Sequence, residues 1–326
     1  MKQINWGIIG VGDVAELKSG PAFQKAEGSN LLAVMRRNAE KAKDFADRHQ
    51  VPHWYDDAEK LIANPEINAI YVATPPSSHE GYAIQALRAG KDVYLEKPMA
   101  PSLAACDRII EEVEKSGKKL SVAHYRRALP AFMKVKALLD AGAIGDVRFA
   151  QIQIFQPAKS KIIAQTESNW RVQPDISGGG LFHDIAPHQM DLMYHYFGKP
   201  LGISGYSTNQ AGMYPADDIV SAEIRFPKGV IFKGLWSFAC PESAEREGCE
   251  IVGSKGSITF SFYGEKIHLN TDKKETFTFE NPENIQLPMI KKVNHFFRGE
   301  GKNPCAAEEG RLVMKMLNTA TSKKQS

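Results

Sequence analysis

Hydrophobic positions come in short runs separated by glycines, prolines and amphipathic stretches, and their spacing changes beyond residue 125. The run Ile4–Ile9 ends in Gly10-Val11-Gly12, and an amphipathic segment begins just after it. Leu31–Met35, Asn68–Ala73, Asp92–Leu95 and Leu120–Ala123 read as further buried-type strands. Ala39–Arg48, Ser78–Ala89 and Leu103–Lys115 carry helical spacing, and Gly90 and Gly117 stand at helix-stop positions. Thr74-Pro75-Pro76 closes the Asn68–Ala73 strand, because proline cannot donate to the ladder. Strands alternating with helices imply right-handed crossovers and a parallel sheet covered on both faces. Residues 1–124 therefore predict an α/β, doubly wound nucleotide-binding domain.

Beyond residue 125 a helix at Ala131–Ala141 precedes a long alternating strand, Val147–Phe155. Gly202–Thr208, Ile219–Phe226, Val230–Phe238, Cys249–Val252, Ser257–Phe262 and Thr276–Phe279 repeat the β pattern, punctuated by glycine turns. Strands without intervening helices suggest an antiparallel sheet, and residues 125–326 predict a second, α+β domain.

The glycine turn carries the first chemical signal. Gly10 permits a tight turn, Gly12 has no Cβ to block a pyrophosphate, and Ala15 allows close helix–strand packing. Asp13 and Val14 open the helix whose N–H groups and dipole favour an anion. An NAD site usually has a carboxylate at the end of the second strand; here stand Arg36 and Arg37. Guanidinium groups at that position bind a 2′-phosphate and stack on adenine, so the expected cofactor is NADP, with NAD as the alternative.

Composition narrows the class further. The chain has 326 residues and a net charge of +3, and no basic block interleaves with aromatics, so no nucleic-acid role is expected. No apolar run approaches the roughly 20 residues of a bilayer span, and the first strand leaves no room for a signal peptide. Cys106, Cys240, Cys249 and Cys305 lack a C-x-x-C pair and read as reduced thiols of a cytoplasmic protein.

Two constellations carry candidate catalytic groups. Glu96-Lys97-Pro98 follows the Asp92–Leu95 strand, where a doubly wound sheet presents its ligand. A lysine there stabilises developing alkoxide charge and hands over a proton, while Glu96 either holds the lysine or contacts the cofactor ribose. The second is Gly178-Gly179-Gly180 and the helix after it, which Pro187 suggests begins near Asp184 or later and runs to about Phe197. Asp184, His188, Asp191 and His195 share one face of that helix. An aspartate four residues before a histidine makes a carboxylate-oriented imidazole, competent in proton transfer near neutral pH. Asp184 also suits an N-terminal cap, and with no further ligand in view no metal is expected. Trp170 and Arg171, before the glycines, either contact the cofactor's nicotinamide side or diphosphate or anchor a loop. Tyr125 and Arg126, after the Leu120–Ala123 strand, are candidates for substrate hydroxyls.

Together these features resemble the Gfo/Idh/MocA oxidoreductase family over essentially the whole chain. The resemblance rests on Gly10-Val11-Gly12, the segment Thr74-Pro75-Pro76-Ser77-Ser78-His79, Ala89-Gly90-Lys91, Glu96-Lys97-Pro98, Gly178-Gly179-Gly180, Asp184, His188 and Asp191. It implies a Rossmann domain followed by an α+β domain with a large, open, mostly antiparallel sheet, and substrate between them. It implies cofactor contacts at Thr74, Pro75, His79, Glu96 and Lys97, and catalytic or substrate-binding positions at Lys97, Asp184 and His188. His188 is then the proton donor or acceptor, Lys97 polarises the reacting oxygen, and Asp184 orients the sugar or the histidine. Trp170-Arg171 and Arg36-Arg37 look most like NADP-linked sugar reductases. His183, Ala186 and Pro187 depart from the family pattern and bear on the shape of the substrate pocket. The activity this implies is NADP-dependent hydride transfer to or from a sugar, polyol or sugar derivative. An NAD-dependent glycosidase with retained cofactor and a non-catalytic NADP-binding sensor are the alternatives. The open sheet, with alternation at Val230–Phe238, implies a homo-oligomer, a dimer or tetramer paired through that surface.

Overall fold

The computed structural model describes residues 3–157, 160 and 169–322. Six short strands, β1 (Ile4–Ile9), β2 (Ser29–Met35), β3 (His53–Tyr55), β4 (Ala69–Val72), β5 (Asp92–Leu95) and β6 (Leu120–Val122), form one sheet in the order β3-β2-β1-β4-β5-β6. Each of its pairings is parallel. The crossovers carry α1 (Gly20–Lys25), α2 (Ala39–His49), α3 (Ala58–Ala63), α4 (His79–Arg88) and α5 (Leu103–Ser116). β3 was not among the expected strands. It has three residues, two of them exposed, and so lacks the apolar run that betrays the others.

The strand order reverses between β1 and β4, which places the topological switch point at the carboxyl ends of these two strands. Local chemistry sets the helices that frame it. Asn38 caps α2 by accepting from the Lys41 N–H at 2.9 Å, and Ser102 caps α5 through the Ala105 N–H at 3.2 Å. Gly117, at φ +62°, ends α5.

The second sheet has eight strands: β7 (Val147–Phe155), β8 (Gly202–Thr208), β9 (Ile219–Arg225), β10 (Ile231–Ser237), β11 (Arg246–Gly253), β12 (Gly256–Phe260), β13 (Lys266–Asn270) and β14 (Lys274–Thr278). Their order is β14-β13-β12-β11-β7-β10-β9-β8, antiparallel except where β7 meets β10. β13 was not among the expected strands. Helices α6 (Pro130–Asp140), α7 (Pro174–Ser177) and α8 (Leu181–Phe197) belong to this part.

One face of the second sheet is buried: Val220, Ile224, Phe232, Trp236, Ile152 and Ile251 are each at most 2 % exposed. Helix α8 packs there, with the Phe182 and Trp236 rings 5.1 Å apart and edge-on. The Tyr196 hydroxyl donates to the Phe132 carbonyl at 3.2 Å and ties α8 to α6. The helix starts at Leu181, three residues before the earliest expected start. Pro187 thus lies inside it, where its missing N–H leaves the His183 carbonyl without an i+4 donor. Burial of the apolar face outweighs that loss, since twelve of the seventeen helical residues are buried.

The chain then returns. Residues up to Ala128 together with Pro282–Met314 form one compact unit, and Leu129–Asn281 with the residues from Lys315 form the other. Helix α9 (Leu287–Arg298) therefore belongs with the first sheet, while α10 (Ala307–Thr321) is divided between the units. This corrects the expected boundaries, in which everything beyond residue 124 made one domain. The cause is a tertiary contact. The fully buried Trp6 indole lies 5.6 Å from the Phe297 ring and donates to Asn294 Oδ1 at 3.2 Å. A buried indole N–H left without an acceptor costs about 1–3 kcal/mol, so β1 requires this helix. Among the described residues, no helix is long and apolar enough to cross a membrane.

Candidate active site

In the first unit the chain turns sharply at Gly10. Its N–H and that of Val11 both donate to the Met35 carbonyl, at 2.9 and 3.2 Å, and the Gly12 N–H returns to the Gly10 carbonyl at 2.9 Å. Gly10 has φ +99°, and a Cβ there would lie 2.8 Å from Thr74 Cγ2 and 2.9 Å from backbone atoms of Ala73 and Thr74. Gly12 is the opposite case, since a Cβ built on it meets nothing within 4 Å. The space over Gly12 is the approach a pyrophosphate needs, so these residues fit a dinucleotide. Asp13 is exposed and Val14 half-buried, and Ala15–Ser19 continue as a π-helical turn.

Arg36 and Arg37 have different surroundings. Arg36 Nη1 donates to the Val11 carbonyl at 3.2 Å and so braces the glycine turn. Arg37 is exposed and, with Asp57, Lys60, Tyr82 and Gln85, lines an open hollow of about 490 Å³. Asp57 is committed as the cap of α3, accepting from the Glu59 N–H at 2.8 Å.

Thr74 and Pro75 are half-buried at the end of β4. His79, an expected cofactor contact, is fully buried, with its ring between two loops. Nδ1 is 2.9 Å from the Pro98 carbonyl and Nε2 is 2.8 Å from the Thr74 carbonyl. The imidazole sits between the Thr-Pro-Pro and Glu-Lys-Pro loops, and as a neutral ring it has one N–H to donate to one of the two carbonyls. Lys97 is half-buried just beyond β5. Glu96 is 6 % exposed, and its carboxylate accepts from the Tyr71 hydroxyl, the Gln286 amide and the Lys97 N–H. Tyr125 and Arg126 are buried after β6.

In the second unit, Gly178, Gly179 and Gly180 all have positive φ, and a Cβ on Gly179 would overlap the His183 ring. They feed α8, on which Asp184 is half-buried, His188 is 7 % exposed and Asp191 is 1 % exposed. Asp184 does not act as the cap, which is Gly180. Instead its Oδ2 accepts from Arg171 Nε at 3.1 Å, and the Arg171 guanidinium carbon lies 4.4 Å from the centre of the Trp170 ring. Arg171 was expected to serve the cofactor or anchor a loop; the structure gives it a carboxylate partner on the candidate catalytic helix.

Burial pushes the imidazoles of His79 and His183 below the ordinary value of 6.5. The unfolded rings bind protons that the folded ones do not, so this contribution is full above 6.5 and declines as the pH falls below it. Thermal melts are expected to show lower stability on the acid side, with a shallower decline for His183→Gln; an identical slope in that variant would reject the assignment.

Residues 4–124 match the family described as "Oxidoreductase family, NAD-binding Rossmann fold", and residues 132–259 match the "GFO/IDH/MocA C-terminal domain". The chain belongs to the Gfo/Idh/MocA oxidoreductase family. Oxidoreductase P35 of Formosa agariphila is 50 % identical over 317 residues, covering 97 % of this chain and 98 % of that relative. A 1,5-anhydro-D-fructose reductase of Ensifer adhaerens is 26 % identical over 257 residues, covering 78 % of this chain and 74 % of the relative. The crystal structure of a Thermotoga maritima oxidoreductase, 25 % identical, superposes with a TM-score of 0.87 over 98 % of this chain and 95 % of that one. The parallel first sheet and mostly antiparallel second sheet are thus the architecture of the Gfo/Idh/MocA family, with an NAD(P)-binding Rossmann unit.

Sequence reading missed Gln286 as a partner of Glu96 and Arg171 as a partner of Asp184. Gln286 lies in a stretch with no motif, 190 positions from the carboxylate it meets. Its burial, at 1 %, is unusual for a glutamine but is invisible without coordinates.

Proposed function

We propose that this chain transfers hydride between C4 of a nicotinamide, NADP in preference to NAD, and a carbonyl or secondary alcohol of a sugar, polyol or sugar derivative. The observation that carries the reading is Lys97 at the carboxyl end of β5, in the unit whose switch point holds the open Gly12 approach. The cofactor supplies or takes the hydride. In the direction of reduction, Lys97 stabilises the negative charge that develops on the substrate oxygen, and His188 gives that oxygen its proton. Asp184, steadied by Arg171, orients the substrate hydroxyls or the imidazole. The 1,5-anhydro-D-fructose reductase relative supports a sugar-like substrate.

The test is a panel of ketoses, anhydroketoses, inositols and aldoses with NADPH and NADH. Oxidation of NADPH that depends on the carbonyl compound supports the reading. Tight nucleotide binding without net turnover transfers support to a retained-cofactor glycosidase or a sensor.

The preference for NADP rests on Arg37, the arginine that lines the hollow while Arg36 is tied to the turn. Arg37→Ala is expected to raise KM for NADPH about tenfold, the loss of one charge-assisted contact, and to leave NADH unchanged. An equal change with both nucleotides would remove Arg37 from 2′-phosphate recognition.

The same reading includes a cytoplasmic homo-oligomer. In the second sheet Tyr206, Ser221, Leu235 and Gln153 stand in register on the face opposite the buried one. Tyr206 is 69 %, Leu235 39 % and Ile231 42 % exposed, an apolar patch that a second copy of the chain would cover. Light scattering of Leu235→Glu is expected to show a smaller species than the wild type. A wild type that is already monomeric would discard the proposed pairing.

A further inference from the structure

Glu96 immediately precedes Lys97, and both oxygens of its carboxylate are engaged. Oε1 accepts from the Tyr71 hydroxyl at 2.6 Å and from the Gln286 side-chain N–H at 2.7 Å; Oε2 accepts from the Lys97 backbone N–H at 3.0 Å. Gln286 is itself held, since its Oε1 accepts from the Tyr94 hydroxyl at 3.4 Å. Tyr71 is stacked on Tyr94 with ring centres 5.2 Å apart. Burial, and then the charge of Glu96, push the Tyr71 hydroxyl well above its ordinary range, so it remains a protonated donor throughout the working pH. Swinging Glu96 toward a ribose would leave the Tyr71 and Gln286 donors unsatisfied in the interior. Of its two possible roles, the geometry points to holding the lysine.

We propose that Gln286 and Tyr71 are positioning residues for Lys97, acting through the carboxylate of Glu96. The returning segment, which the structure places in the first unit, thereby reaches the end of β5 and sets the backbone that carries the Lys97 ammonium. The catalytic meaning of this network rests on the role proposed above for Lys97; its existence does not.

Gln286→Met retains most of the side-chain volume and removes both donors. Pro98 has no N–H, so hydrogen exchange at Lys97 reads the contact with Glu96 without interference from the next residue. Losing the support of Glu96 is expected to speed exchange at the Lys97 amide about tenfold, with amides of β2 unaffected. The value of kcat is expected to fall about tenfold while nucleotide Kd stays within about twofold, the signature of a misplaced group and not of lost binding. In a Glu96→Gln background Gln286→Met should add little, because both act through one carboxylate.

Unaltered Lys97 exchange, unaltered kcat in an active enzyme, or full additivity with Glu96→Gln would each overturn the proposal. Faster Lys97 exchange in a chain whose wild type oxidises no nucleotide would leave the positioning network standing and remove the hydride-transfer reading. If Gln286→Met does not fold, Tyr71→Phe keeps the stacked ring, loses one donor, and is expected to show the same pattern at about threefold.

Discussion

Lys97→Met is expected to lower kcat/KM for hydride transfer by about three orders of magnitude, the scale of losing an electrostatic partner of a developing alkoxide. His188→Ala should cost about two to three orders of magnitude by removing the proposed proton donor. Neither change touches the Gly10–Gly12 turn, so nucleotide Kd is expected to move by less than about threefold, the two effects lying mainly in kcat. Steady-state kinetics with NADPH, paired with calorimetric titration of the nucleotide, separates the outcomes. A Lys97→Met enzyme that retains a tenth of wild-type kcat would remove Lys97 from the chemistry. Loss of nucleotide binding equal to the loss of rate would make it a cofactor ligand only. Arg171→Met should behave differently, because it removes a charged partner of Asp184 in a half-buried setting. Its effect is expected in KM for the substrate and in stability as well as in kcat.

The second large effect is a contrast between two glycines two positions apart. Gly10→Ala places a Cβ 2.8–2.9 Å from Thr74 and Ala73 at φ +99°, so the backbone strain and the overlap both count against the fold. Their sum is about 3 kcal/mol, which corresponds to a Tm lower by about 10 °C for a unit of this size. Gly12→Ala meets no protein atom within 4 Å and should melt like the wild type. Its methyl group instead fills the approach of the pyrophosphate, and nucleotide affinity is expected to fall about a hundredfold. Melting curves with and without nucleotide test both statements together: Gly10→Ala should be shifted in either condition, whereas Gly12→Ala should lose only the stabilisation by nucleotide. A Gly12→Ala protein that binds nucleotide normally would place the cofactor elsewhere.

Much of this was legible in the linear sequence because its causes are local. The run Ile4–Ile9 ending in two glycines and the stop at Gly117 each act within a few residues, and the observed elements begin and end close to the expected positions. Alternating exposure along β9 and β10 follows the same two-residue period that their apolar residues announce. The elements that escaped are those with weak local signals: β3 has three residues, and α8 extends back past a proline because its buried face rewards the extra turn.

The sequence by itself determined the dinucleotide turn and the alternation that makes the first sheet parallel, and it singled out Lys97, Asp184 and His188 as candidates for the chemistry. Tertiary structure alone decided what these groups lean on. It brought Phe297 and Asn294 to Trp6, Gln286 to Glu96, Arg171 to Asp184, and the His79 ring between two carbonyls. The physical reason is that a period in the sequence reports which face of an element is apolar, whereas the partner of a buried polar atom is chosen by whichever distant group can satisfy it when the chain closes.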